Sequence, residues 1–201
     1  LNYEDEVTRA FGEKVKADVL YFSSVHKLNR GVYLDGTKIV CDIDERIEIC
    51  DIGELKILGT HNHENAMAAT AMAYAYGVPA EIIRSTLKNF QGVEHRIEFV
   101  AEKGGVAYYN DSKGTNPDAA IRGIRAMNRP TVLIGGGYDK DSEYDEWIEA
   151  FDGKVKKLVL IGATRGKIAE TARKHGFQDI VFADTFEEAF ALCVESAQSG
   201  D

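Results

Sequence analysis

This sequence has few cysteines, fewer basic than acidic residues and no long apolar runs. Its three cysteines, Cys41, Cys50 and Cys193, are odd in number and lack CxxC spacing, so a disulfide framework or a zinc site is disfavoured and reduced thiols in a cytoplasmic protein are favoured. No apolar run approaches membrane-spanning length, and no signal peptide precedes the first strand-like segment. The net charge of −9 argues against a general nucleic-acid or anionic-membrane binder.

What the chain does have is enough apolar residues for a core, because 44% of its 201 residues are hydrophobic. Residues 1–58 are dominated by short alternating segments that predict strands over 18–23, 31–36, 38–41 and 45–51. Two helices follow, over 62–76 and 79–90, the second with a proline start. These strands and this helical hairpin make a thin first part that would struggle to be stable alone.

From residue 92 onward strands and helices alternate. A hairpin pairs 97–101 with 106–109, and then come helix 117–127, strand 131–134, helix 143–151, strand 157–161, helix 167–175, strand 179–182 and helix 186–197. Repeated strand–helix units predict an α/β fold with a mainly parallel, Rossmann-like sheet and flanking helices. The glycine-containing joint at 91–94 is the expected boundary, giving domains 1–91 and 92–201.

The most informative segment is the turn at 110–116, which follows a strand and opens a helix. Asn116 is the predicted N-cap, and Pro117 stands at the first helical position. The turn packs a carboxylate, two hydroxyls, a lysine and a glycine into one strand-to-helix connection. In an open α/β sheet such a connection presents polar groups and a helix N-terminus to an anionic ligand.

A second polar cluster lies at 59–65. Asn62 and Asn65 are three residues apart on a first helical turn, so their amides can face one side and satisfy a purine edge. His61 and His63 beside a glutamate suggest a metal. Residues two apart on a helix do not point towards one ion, however, so no metal site is expected.

A third cluster joins His95 and Arg96 at the expected domain boundary. The guanidinium of Arg96 could clamp a phosphate through two hydrogen bonds. A surface ion pair with Glu94 or Glu98 explains the same residues equally well, and the sequence leaves the two open.

Three glycines at 135–137 follow a strong strand and precede Lys140. Glycine permits close backbone approach, and the lysine could neutralise a substrate carboxylate. The segment 162–167 lacks phosphate-loop spacing and is interpreted as an ordinary turn.

Together these motifs resemble those of one family. G-x-H-N-x-x-N at 59–65, H-R-I-E at 95–98, N-D-S-K-G-T-N-P at 110–117 and G-G-x-x-x-K at 135–140 are similar, in order and spacing, to motifs of the Mur ligases. The D-S-K-x-T-N run resembles the members that add D-glutamate. The resemblance covers nearly the whole chain, with the end of a central ATPase domain before a C-terminal domain.

The resemblance implies a reaction and a set of roles. Family members use ATP and Mg²⁺ to convert a carboxylate into an acyl phosphate, which the amine of D-glutamate attacks; UDP-N-acetylmuramoyl-L-alanine is the implied acceptor in peptidoglycan precursor synthesis. Arg96, His95 and Lys113 are the implied catalytic residues. The adenine contacts would be Asn62 and Asn65, Asp111 would hold the ribose, Arg96 would meet the terminal phosphate, and Ser112, Thr115 and Lys140 would bind D-glutamate.

Departures from the family pattern are also expected to matter. The phosphate loop, the Mg²⁺ ligands and a carbamylated lysine are absent from the sequence and are expected before Leu1, and a last strand with a serine-containing loop is expected after Asp201. We therefore expect a fragment of a monomeric enzyme that does not turn over alone. Another Mur ligase, a folylpolyglutamate synthase-like ligase, a non-catalytic nucleotide-binding module and a mere truncated folding unit are the alternatives.

Overall fold

Short strands separated by turn residues build the first part of the chain. The computed structural model describes residues 1–201, which divide into the compact units Leu1–Gly92 and Val93–Asp201. A short helix, α1 (Glu6–Gly12), precedes a sheet in which β1 pairs parallel with β2 and the remaining pairs are antiparallel. The strands are β1 (Tyr21–Ser23), β2 (Gly31–Asp35), β3 (Lys38–Asp42) and β4 (Arg46–Asp51).

Two helices cover one face of this first sheet. They are α2 (Thr60–Ala75) and α3 (Ala80–Asn89), with Pro79 as the N-cap of α3. Their buried side chains, among them Met67 and Ile83, join Ile39 and Ile49 of the strands in one apolar core. The predicted strands and helical hairpin are thus present, whereas α1 was not expected from the sequence.

The second unit begins with the hairpin of β5 (Glu98–Lys103) and β6 (Val106–Asn110). Gly104 and Gly105 form its turn, and both have positive φ. Three parallel strands follow in the order β7-β8-β9, connected and flanked by helices. These elements are α4 (Pro117–Ala126), β7 (Thr131–Gly137), α5 (Asp145–Glu149), β8 (Val155–Gly162), α6 (Arg165–Lys174), β9 (Ile180–Phe182) and α7 (Phe186–Ser196).

Helices cover both faces of the parallel sheet. Successive side chains of β8 point to opposite faces, and each set packs against helices. Leu158 and Leu160 pack into a core with α4, α5 and α6, whereas Val159 packs with Ala189 of α7. This arrangement confirms the predicted α/β class with a parallel sheet and flanking helices. None of the helices combines the length and the apolar composition that a membrane-spanning segment requires.

One strand is longer than expected. The glycines at 135–137 belong to β7 and do not form a turn after it, because they pair with residues 160–162 of β8. Gly136 has φ 113°, and a Cβ there would lie 2.0 Å from the Ile161 carbonyl oxygen, so this position accepts only glycine.

Candidate functional site

The turn between β6 and α4 is closed by its own main chain. The Gly114 N–H donates to the Asp111 carbonyl oxygen at 2.8 Å, and the Thr115 N–H donates to the Lys113 carbonyl oxygen at 2.9 Å. The side chain of Asn116 then caps α4 by accepting from the Ala119 N–H at 2.8 Å. This confirms Asn116 as the N-cap, and it leaves the first N–H groups of α4 beside the turn.

Asp111 links this turn to the segment that contains Arg96. Its Oδ1 accepts the Ile97 N–H at 3.0 Å. Its Oδ2 is closely surrounded, because a Cβ added to Gly114 or Gly123 would lie 2.8 or 2.7 Å from it. The two glycines therefore make room for the carboxylate, which acts as a clamp between two segments far apart in sequence.

The segment His95–Arg96–Ile97 has a strained backbone. His95 and Ile97 adopt φ values of 66° and 47°, a region that is unfavourable for a β-branched residue. Besides the Asp111 contact, the Lys113 N–H donates to the His95 carbonyl oxygen at 3.0 Å. Such strain persists only where surrounding contacts fix the segment, and these hydrogen bonds do so.

The strained segment presents a free cation. The side chain of Arg96 is exposed and pairs with neither Glu94 nor Glu98. Of the surface pairs considered from the sequence, the structure shows only the contact of His95 Nδ1 with Glu98 Oε2, at 3.5 Å. Glu98 also accepts the His95 N–H at 2.8 Å. An unpaired guanidinium on a fixed backbone is suited to an anionic ligand.

Lys140 approaches the same turn from the carboxyl end of β7. Its Nζ donates to the Thr115 carbonyl oxygen at 3.2 Å. The side chains of Ser112, Lys113 and Thr115 are exposed on the turn and have no hydrogen-bonding partner in the structure. The cationic side chains of Arg96, Lys113 and Lys140 and the N-terminus of α4 therefore belong to one connected set of loops. Together they can neutralise carboxylate or phosphate groups.

The first unit contains the other predicted polar residues, at the start of α2. Gly59 precedes the helix with φ 93°. Asn62 donates from Nδ2 to the Leu58 carbonyl oxygen at 2.8 Å, and Asn65 donates to the Asn62 Oδ1 at 3.4 Å. The two amides thus face each other across the first turn, as their spacing predicts. Burial lowers the pKa of the neighbouring His63.

Two polar residues beside the site, Asn110 and Glu98, were not among the predicted site residues. Asn110 ends β6 and contacts the His95 ring, and Glu98 begins β5 and binds the His95 main chain. An asparagine that follows a strand and bonds to the main chain two residues on is a recognisable signal, and Asn110 does so with the Ser112 N–H at 3.1 Å. The contact with His95 spans 15 residues and leaves no local signal.

Comparison with known proteins identifies relatives over the whole chain. The chain is 52% identical over 202 residues to the UDP-N-acetylmuramoylalanine--D-glutamate ligase of Lachnoclostridium phytofermentans, covering all of this chain and 44% of that protein. It is 53% identical over 204 residues to the ligase of the same name from Thermoanaerobacter sp. (strain X514), covering 45% of that protein. The chain thus spans less than half the length of these relatives.

Solved structures share the fold at much lower identity. The UDP-N-acetylmuramate-alanine ligase MurC of Thermotoga maritima matches with a TM-score of 0.67 at 17% identity, over 98% of this chain and 45% of that one. A folylpolyglutamate synthase of Mycobacterium tuberculosis, solved with ADP and AMPPCP, matches with a TM-score of 0.65 at 14% identity, over 94% of this chain and 45% of that one.

The second unit also matches a defined protein family. The family described as "Mur ligase, glutamate ligase domain" covers residues 95–201, which is more than half of the chain and includes the strained segment, the 110–116 turn and Lys140. Motifs, fold and relatives agree, and this chain belongs to the Mur ligase family.

Proposed function

We propose that this chain is part of an ATP-dependent ligase that joins D-glutamate to UDP-N-acetylmuramoyl-L-alanine through an acyl phosphate, in peptidoglycan precursor synthesis. The observation that carries the proposal is the turn at 110–116, to which both the Arg96 segment and Lys140 are hydrogen-bonded. The relatives named for this reaction, about half identical over the whole chain, support it.

D-glutamate carries two carboxylates, and the site offers groups suited to them. Lys140 is proposed to neutralise one carboxylate, and the hydroxyls of Ser112 and Thr115 to donate hydrogen bonds beside the α4 N-terminus. The hydrogen bond from Lys140 to the Thr115 carbonyl oxygen supports this role, since it holds the ammonium against the same turn.

ATP would supply the phosphoryl group that activates the acceptor carboxylate. In the first unit, Asn62 and Asn65 are the proposed adenine contacts, and their mutual hydrogen bond supports a shared orientation. In the second unit, Arg96 is proposed to meet the terminal phosphate, with His95 and Lys113 nearby. Phosphoryl transfer depends mainly on positioning and charge neutralisation, which such groups provide.

Asp111 is proposed to do more than contact the ribose. Because its Oδ1 already accepts the Ile97 N–H, it also holds the Arg96 segment in its strained conformation. Mg²⁺ is proposed to act with ATP in the whole enzyme, and no residue of this chain is proposed as its ligand. The whole enzyme is proposed to act as a cytoplasmic monomer on small molecules.

A chimera tests the proposal. The chain would replace the matching segment of the Lachnoclostridium phytofermentans relative, and phosphate release would be measured with UDP-N-acetylmuramoyl-L-alanine, ATP and D-glutamate. D-glutamate-dependent release within about tenfold of the parent supports the proposal. A folded chimera that releases no phosphate, or that requires a different amino acid, contradicts it.

The chain alone provides the complementary experiment. We expect no D-glutamate-dependent phosphate release from the 201 residues by themselves. Measurable turnover would overturn the expectation that essential groups lie outside this chain. Tight ATP binding without turnover would favour a non-catalytic nucleotide-binding module.

A further inference from the structure

The side chain of Asn110 lies between the His95 imidazole and the main chain of the 110–116 turn. Its Oδ1 accepts the Ser112 N–H at 3.1 Å, and a main-chain N–H can only donate. The orientation of the amide follows, with Nδ2 directed away from Ser112. Glu98 reinforces it, because its Oε2 lies 3.5 Å from the same Nδ2 and can only accept when ionised.

This orientation decides what the imidazole can do. Two groups face His95 Nδ1: Asn110 Nδ2, a donor at 2.9 Å, and Glu98 Oε2, an acceptor at 3.5 Å. The shorter contact is the hydrogen bond, so Nδ1 is its acceptor, and Glu98 Oε2 instead accepts the His95 N–H at 2.8 Å. A neutral imidazole that accepts at Nδ1 carries its proton on Nε2. The His95 side chain is half exposed, at 51%, and Nε2 has no partner within the protein.

We propose that Asn110, held by Ser112 and Glu98, is a positioning residue that fixes His95 as the Nε2–H tautomer, so that the imidazole offers a hydrogen-bond donor to an anionic oxygen. The main chain of His95 is fixed from the same side, because its N–H donates to Glu98 at 2.8 Å. Ring orientation and proton position are thus both set by Asn110 and Glu98.

The use of this donor rests on the proposed function, in which Arg96 meets a phosphate and His95 lies beside it. The tautomer itself does not depend on that function. It follows from hydrogen bonds within the second unit, and it is measurable on the chain without substrate. Failure of the tautomer assignment and failure of the ligase assignment are therefore distinguishable.

Nitrogen-15 NMR of the histidine rings tests the proposal on the full 201-residue chain at mildly alkaline pH, where imidazoles are neutral. His95→Gln assigns the His95 signals among the five histidines. In the unmodified chain we expect a pyridine-type shift at Nδ1 and a pyrrole-type shift at Nε2. The opposite pattern would overturn the assignment.

Asn110→Asp is the decisive variant, because free histidine already favours the Nε2–H form. The introduced carboxylate keeps an acceptor for the Ser112 N–H but presents a second acceptor to His95. We expect the Nδ1 signal to move to the protonated range. An unchanged Nδ1 signal in a folded variant would contradict control by residue 110.

Two further variants complete the experiment. Asn128→Asp makes the same chemical change at an exposed asparagine without hydrogen-bonding partners and should leave the His95 signals in place. If repulsion from Glu98 unfolds the Asn110→Asp variant, the Asn110→Asp/Glu98→Gln double variant removes that repulsion. The double variant should show the same change of the His95 Nδ1 signal. If the folded double variant lacked this change, the proposal would be refuted.

Discussion

The Nζ of Lys140 lies 3.2 Å from the main-chain oxygen of Thr115, which joins the loop after β7 to the turn before α4. Residues 25 apart in sequence thereby contribute to one cationic site. The contact also orients the lysine without neutralising it, because a carbonyl oxygen is an uncharged acceptor. The ammonium keeps its charge and its remaining hydrogens for a carboxylate.

Lys140→Ala should raise the KM for D-glutamate in the chimeric ligase. A charge-assisted hydrogen bond contributes about 1.5–3 kcal/mol, which corresponds to a rise of roughly 10- to 100-fold. The KM would be measured from phosphate release over a D-glutamate series. Lys154→Ala is the matched control, because Lys154 also donates to a main-chain oxygen, that of Arg125 at 2.8 Å, outside the site. Equal effects of the two variants would remove Lys140 from the D-glutamate site.

Gly123→Ala should destabilise the second unit relative to another helical glycine. Alanine within a helix is normally favoured over glycine by up to about 1 kcal/mol. At Gly123 of α4 the new Cβ would lie 2.7 Å from Asp111 Oδ2, so the carboxylate that holds Ile97 must move. Gly166 of α6 has no atom within 4 Å of such a Cβ and serves as the control.

The measurement is urea unfolding of both variants. We expect Gly166→Ala to be as stable as the unmodified protein or more stable, and Gly123→Ala to be the less stable of the pair. If the two variants gained equal stability, Asp111 would not be tightly held between Gly114 and Gly123.

Asn116→Ala should weaken the start of α4, because the Ala119 N–H loses its acceptor. Loss of an N-cap side chain costs about 1 kcal/mol of unfolding free energy. Asn116→Asp keeps an acceptor oxygen and adds a charge that favours a helix N-terminus, so it should retain the stability. Urea midpoints of the two variants provide the comparison. A loss as large in Asn116→Asp as in Asn116→Ala would show that capping is not the role of this side chain.

Local sequence signals predicted those parts of the fold that local physics determines. Asn116 and Pro117 mark the start of α4, and paired glycines mark the β5–β6 turn, as the structure confirms. The three glycines were expected to follow the strand as a turn, since glycine permits positive φ and close backbone approach, but the structure places them within β7. Their place in β7 is imposed by β8, which approaches so closely that Gly136 admits no Cβ.

The candidate site likewise contains some features that the sequence indicated and some contacts that it could not indicate. Lys140 lies beside Thr115, and the family resemblance had assigned both residues to the binding of D-glutamate. The hydrogen bonds of Asp111 to Ile97 and of Asn110 to His95 could not be predicted, since each depends on two segments meeting 14 or 15 residues apart. The roles assigned to Asn62, Asn65, Arg96 and the other site residues remain predictions until the chimera is assayed.

The thiol of Cys193 on α7 should make the stability of the second unit depend on pH in the alkaline range. Burial raises the pKa of this thiol to about 11 from its ordinary value of 9.0. The raised pKa means that the folded state retains the proton while the unfolded chain loses it. The contribution of this group to stability is therefore complete below pH 9.0 and is lost as the pH rises towards about 11.

Comparison with Cys193→Ala isolates this group, because the buried Cys41, whose pKa is also raised to about 11, is present in both proteins and its contribution cancels. Urea unfolding at a series of pH values should show the unmodified protein losing stability relative to the variant as the pH rises above 9.0. The thiol should also react slowly with Ellman's reagent in the folded protein, since the thiolate is the reactive form. A difference in stability that stays constant across this range, together with rapid labelling, would contradict the partial burial of Cys193 against Val159 and Ala189.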